Sequence, residues 1–195
     1  MASRRFSEAI AEGDGISVLV EVHDLESARA AEAQGAEALV IRGALDGVRT
    51  TSDLPILWRG AGPLGDAVHA GADACLVILE HHAYDGERLE ELHAEAEGLG
   101  LDFVIEVRNE EELDLALERL DPEIFLLAGT PEDGEGALEP ALNLLADVPA
   151  GKLAVADVRV SGRDEVEELE RAGVDAVIVA AGNIAELVGS APPEV

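Results

Sequence analysis

The chain has 195 residues, room for one domain, and carries 42 Asp and Glu against 13 Lys and Arg, a formal charge of −29 that excludes nucleic acid and anionic membrane as partners. A hydrophobic content of 48% with mean hydropathy +0.12 excludes a disordered chain, and 3% aromatic content leaves Ala, Val, Leu and Ile to build the core. The acids are interleaved with apolar residues at regular spacing, which fits a surface adapted to a salty, halophilic cytoplasm; a cationic partner is the alternative.

The chain opens with Arg4 and Arg5 but has no apolar run behind them, so no secretory signal is expected. No apolar run approaches the ~18 residues of a membrane span, and a cytoplasmic protein is expected. Beyond a lead-in at 1–15, short apolar runs alternate with helical patterns, the mark of parallel strand–helix units. The predicted strands are 16–22, 38–41, 54–58, 74–79, 103–107, 124–127, 153–158 and 176–179. Asp24 caps a helix at 25–34, which Gly35 closes. A poorly patterned connection follows the second strand, and a short helix at 64–70 follows the third. Further helices are expected at 84–98, after Asn109, at 137–146, after a capping box of Ser161 and Asp164, and from Asn183. Cys75, the only cysteine, lies within the fourth strand, where a buried thiol is expected.

An internal repeat organises these units. Gln34-Gly35-Ala36-Glu37-Ala38, Ala70-Gly71-Ala72-Asp73-Ala74 and Ala172-Gly173-Val174-Asp175-Ala176 each precede an even-numbered strand, and Leu120-Asp121-Pro122-Glu123 stands at the equivalent place before the sixth. Eight strands in four related pairs predict an α/β fold, a compact single-domain (β/α)₈ barrel over about 16–189 with a tail at 190–195. A doubly wound open sheet is the alternative.

Several phrases resemble indole-3-glycerol-phosphate synthase. They are Phe6-Ser7-Glu8-Ala9-Ile10 with the first strand, Leu54-Pro55-Ile56-Leu57-Trp58-Arg59, His69-Ala70-Gly71-Ala72-Asp73-Ala74, and Val104-Ile105-Glu106-Val107-Arg108-Asn109-Glu110-Glu111-Glu112-Leu113. The resemblance runs from residue 6 to about 188, and it implies a lyase of tryptophan biosynthesis that closes an indole ring using a general-acid lysine, paired carboxylates and a phosphate cradle. It matches the family's strand-one glutamate to Glu21, its strand-five glutamate to Glu106 and its strand-seven glutamate to Asp157. It also shows departures. His23 and Arg59 replace lysines, Val158 and Arg159 replace a phosphate-holding serine and glycine, and Ala180 replaces a phosphate glycine. The strand-six asparagine falls near Ala128 and Gly129, and the serine- and proline-rich loop after strand one is missing.

Barrel sites lie at the C-terminal ends of strands. There the sequence places Glu21, His23, Arg59, Glu106 and Asp157 as candidate catalytic groups, with Arg42, Arg108 and Arg159 as anion-binding cations. Ser161-Gly162 and Gly182-Asn183 open the last two helices, whose exposed amides could hold a phosphate. The bland counterpart is a ring of Arg–carboxylate pairs above ordinary helix caps. Arginine cannot surrender a proton at useful pH, so lysine acid chemistry is not expected at Arg59, and Lys152 lies before strand seven, at the opposite end. His23 could carry protons near neutral pH, with Glu21 or Glu106 beside it. Glu80-His81-His82 offers no metal site, since neighbouring strand residues point apart, and no cofactor is expected. The expected ligand is a small anionic metabolite, phosphorylated or not. The residues leave open an isomerase of another such metabolite or a non-catalytic binding protein, as well as monomer or homo-oligomer.

Overall fold

The computed structural model describes residues 4–12, 15–79, 85–128, 138–158, 160, 162–182, 184 and 187. Eight parallel strands close into a barrel: β1 (Ser17–Glu21), β2 (Ala38–Ile41), β3 (Ile56–Trp58), β4 (Ala74–Ile78), β5 (Asp102–Val107), β6 (Ile124–Ala128), β7 (Leu153–Asp157) and β8 (Ala176–Ala180). Each pairs with the next, and β8 returns to β1 with Ser17 opposite Ala176 and Glu21 opposite Ala180. The helices among the described residues are α1 (Arg5–Ala11), α2 (Leu25–Ala33), α3 (Val48–Thr51), α4 (Leu64–His69), α5 (Gly86–Leu99), α6 (Glu110–Arg119), α7 (Leu138–Leu145) and α8 (Arg163–Ala172). The fold is thus a single-domain (β/α)₈ barrel.

Strand alternation divides the apolar residues into two layers. Leu19, Val40, Leu57, Leu76, Val104, Leu126, Val155 and Ile178 form the barrel interior. Val20, Ile41, Trp58, Val77, Ile105, Leu127, Ala156 and Val177 pack outward against the helices, with Cys75 buried among them. Burial pushes the Cys75 thiol up to about 12, so it is a small apolar filler and no nucleophile.

The repeat before the even strands acts as a set of latches. The side chain of Glu37 accepts from the Val18 N–H at 3.0 Å, Asp73 from Ile56 at 2.9 Å and Asp175 from Ala154 at 2.7 Å. Each acid thereby ties an odd strand to the even strand after it. Two residues earlier Gly35, Gly71 and Gly173 take φ of 91°, 75° and 98°, the left-handed turn that ends a helix. In the fourth unit Asp121 takes that place with φ 46°, and Glu123 pairs with Arg4 at 3.0 Å instead of latching a strand.

Three expectations are revised. The lead-in holds a helix: α1 seals the bottom of the barrel, burying Phe6 and Ile10 against the interior layer, while the Ser7 N–H donates to Asp102 Oδ2 at 2.9 Å. Strand three starts at Ile56 and not at residue 54, because Pro55 has no N–H for the ladder. Helix α8 begins at Arg163 with Gly162 at its N-cap and no side-chain cap, so Asp164 does not complete a capping box there.

Candidate functional site at the barrel mouth

The interior periodicity delivers the site. Glu21, Arg42, Arg59, Glu106 and Asp157 stand two residues beyond Leu19, Val40, Leu57, Val104 and Val155, so each continues an inward-facing row past the last apolar layer. The strands hold their backbones rigidly, and the side chains meet above the core.

Arg59 is the centre of this arrangement. Its Nη1 lies 2.5 Å from Asp157 Oδ2, and its Nη2 donates to Glu106 Oε2 at 3.3 Å. The guanidinium therefore spans from β3 to β5 and β7. The other oxygen of Glu106 accepts from Arg108 Nη2 at 2.7 Å and Nε at 3.0 Å. Glu106 is 2% exposed and Arg59 13%, so this is a buried ionic cluster whose pairing offsets the loss of hydration. Each buried side-chain polar atom among the described residues has a hydrogen-bond partner.

A second pair stands on the β1–β2 side. Arg42 donates through Nε at 2.6 Å and Nη2 at 2.9 Å to the two oxygens of Glu21, a fork-to-fork contact. Those bonds hold the Glu21 carboxyl below its usual value against the opposing cost of partial burial, with smaller pulls from Arg59 and His23. The same bonds push Arg42 up. His23 is 69% exposed on the rim, with Nε2 3.9 Å from Glu21 Oε1.

The structure therefore brings Arg59, Glu106, Asp157 and Arg108 into one cluster, with Glu21 and Arg42 as a flanking pair and His23 loosely beside them. Gly162 and Gly182 are open positions at the rim, where an added Cβ would meet nothing closer than 3.9 Å. At α8 the first turn carries Asp164 and Glu165, so carboxylates already face the positive helix end that an anion would use. Arg159, Ser161, Asn183 and the Glu80–His82 run lie outside the described residues, and of the expected helix from Asn183 the structure describes Ile184 and Leu187, both helical. Among the described residues no group of three or more His, Cys, Asp or Glu could hold a metal ion, and no helix is long and apolar enough to cross a membrane. Lys152 lies at the bottom, 2.7 Å from Asp121.

Sequence reasoning missed Glu112. It is 3% exposed, and its Oε2 accepts from the Arg108 N–H at 2.8 Å. The signal was available: Asn109 followed three residues later by a glutamate is a helix-start signature.

Eight parallel strand–helix units closed into a barrel define the (β/α)₈ class, whose characterised enzymes carry their active sites at the C-terminal ends of the strands. The family model for indole-3-glycerol phosphate synthase matches residues 63–184, and the chain belongs to that family. The indole-3-glycerol phosphate synthase of Variovorax paradoxus is 31% identical over 135 residues, covering 67% of this chain and 50% of that protein. The enzyme of the same name from a Geobacillus species is 29% identical over 174 residues, 82% of this chain and 67% of its own length. The chain thus spans half to two thirds of the length of these relatives. Two solved structures share the fold: thiamine phosphate pyrophosphorylase from Pyrococcus furiosus, with TM-score 0.65 and 18% identity, covers 88% of this chain and 90% of its own. The N-acetylmannosamine-6-phosphate 2-epimerase of Clostridium perfringens gives 0.67 and 17%, covering 87% and 88%.

Proposed function

We propose that this chain is a diverged member of its family that binds a small anionic, phosphorylated metabolite at the barrel mouth, with the Arg59 guanidinium in place of the strand-three lysine. The observation that carries this reading is Arg59, anchored by Glu106 and Asp157 at the floor of the mouth. Its two bonds leave the rest of the N–H fork to receive an anion from above. Arg42 and Arg108 flank that point, and Arg159, Ser161, Gly162, Gly182 and Asn183 complete the proposed rim. The acidic exterior, suited to concentrated salt in a cytoplasm, would repel anions elsewhere and leave the mouth as the place where guanidiniums gather.

Retained lyase turnover is the second reading, favoured by Glu21, Glu106 and Asp157 standing where the family resemblance places carboxylates, with His23 as the exchangeable proton carrier. A lysine general acid is no part of it.

A calorimetric titration in molar KCl separates the readings. Indole-3-glycerol phosphate, its anthranilate-linked precursor, ribose 5-phosphate and inorganic phosphate would each be titrated into wild type and Arg59→Ala. Saturable binding of a phosphorylated ligand, weakened at least about tenfold in Arg59→Ala, supports the proposal. No binding by a folded wild-type protein sinks it. Release of indole-3-glycerol phosphate from the precursor, lost in His23→Asn, would establish the second reading.

A further inference from the structure

We infer that Glu112 is a positioning residue for Arg108, fixing from behind the direction in which that guanidinium enters the mouth. The inference rests on reading the mouth as an anion site. In the usual reciprocal helix start, the acid at the third helical position returns to the N–H of the capping residue. Here the cap itself is complete: the Asn109 side chain accepts from the Glu112 N–H at 2.9 Å. The Glu112 carboxylate reaches one residue further back, to the Arg108 N–H at 2.8 Å. That N–H belongs to the peptide by which the chain leaves β5.

Two consequences follow from chemistry. A carboxylate that is 3% exposed is costly to bury unless it is bonded, so its place under the loop is a strong constraint on that peptide. The peptide plane sets the Cα–Cβ direction of Arg108, and only a narrow range of directions lets both Nε and Nη2 reach the same oxygen of Glu106, as they do at 3.0 and 2.7 Å. Arg108 is thus held at both ends by separate carboxylates, Glu112 at the backbone and Glu106 at the head. The second of these is shared with Arg59, so a slip at Arg108 is felt at the centre of the mouth.

The test reads arginine Nε–H signals by NMR in ¹⁵N-labelled protein in molar KCl, with the Arg108 signal assigned by its loss in Arg108→Lys. Arg42, whose Nε is bonded to Glu21 on the opposite side of the mouth, is the internal control. In Glu112→Ala the Arg108 signal is expected to exchange with water about tenfold faster, with the Arg42 signal unmoved. In Glu112→Gln, whose amide oxygen can still accept the bond, most protection is expected to return. An unchanged Arg108 signal in Glu112→Ala overturns the inference, and so does an equal change at Arg42, which would mean general loosening. Inorganic phosphate is titrated in parallel. The Glu112→Ala change should weaken its binding several-fold in the wild-type background and leave it unaltered in an Arg108→Gln background. Equal weakening in both backgrounds counts against positioning. A wild type that binds no phosphate or phosphorylated ligand defeats the reading of the mouth, while the exchange measurement still decides what Glu112 does to Arg108.

Discussion

Arg59 joins carboxylates on two different strands, and that geometry needs a planar fork. Arg59→Lys keeps the charge but offers a single point, so it can satisfy Asp157 or Glu106 and not both. We expect a loss of about 1–2 kcal/mol in urea unfolding; an unchanged midpoint would show that the bridge contributes no net stability. Acid titration tests two other groups with opposite signs. Glu21 has a lowered folded value, so its contribution is present above the ordinary value of 4.5 and is lost as pH falls through the folded one. Asp175 is raised, chiefly by burial and against its bond from Ala154, so its ionisation opposes folding at neutral pH and protonation relieves it. Asp175→Asn keeps an acceptor for that N–H and removes the charge. Its melting temperature should exceed wild type at pH 7, with the advantage fading as pH falls through the raised folded value. A lower melting temperature at pH 7 would show that the ionised latch outweighs the cost of burying it.

Among the elements, the four strand pairs use one local device with one exception. Gly173 has φ 98° and open space around its missing side chain, so Gly173→Ala should cost about 1 kcal/mol from backbone strain alone, measured by urea unfolding. No change would mean that the turn relaxes. The strands, the repeat and the barrel were legible because alternation and turn chemistry are local signals. Arg42, Arg59, Glu106 and Asp157 were legible as site candidates because they end predicted strands, and Arg59, Glu106 and Asp157 also through the family resemblance. Which carboxylate each arginine would meet was not legible, since the Arg59 contacts join residues 47 and 98 positions apart through barrel closure. Helix α1 was missed because the burial of Phe6 and Ile10 depends on the ring beneath which they sit. Glu112 was missed because a glutamate among Glu110 and Glu111 looks like solvated surface until its burial is seen.

At the scale of the whole molecule, a formal charge of −29 on 195 residues sets self-repulsion against a core of small aliphatic side chains. Screening should relieve it, and the melting temperature is expected to rise by about 10 °C between roughly 0.1 and 2 M KCl. A flat salt dependence would show that the acids are spaced widely enough to be tolerated, and would remove the support for a saline setting. The seal formed by α1 has a consequence for synthesis. Its partners lie far along the chain: Ser7 bonds to Asp102 and Arg4 to Glu123, while β1 pairs with β8 at Ala176. As the chain leaves the ribosome, the first helix is made long before its seat exists, and β1 waits until nearly all of the other strands have emerged. Such distant pairings are slow to form. Helix α1 is translated before its partners and is therefore among the last elements to settle, and until then Phe6 and Ile10 are exposed in the nascent chain.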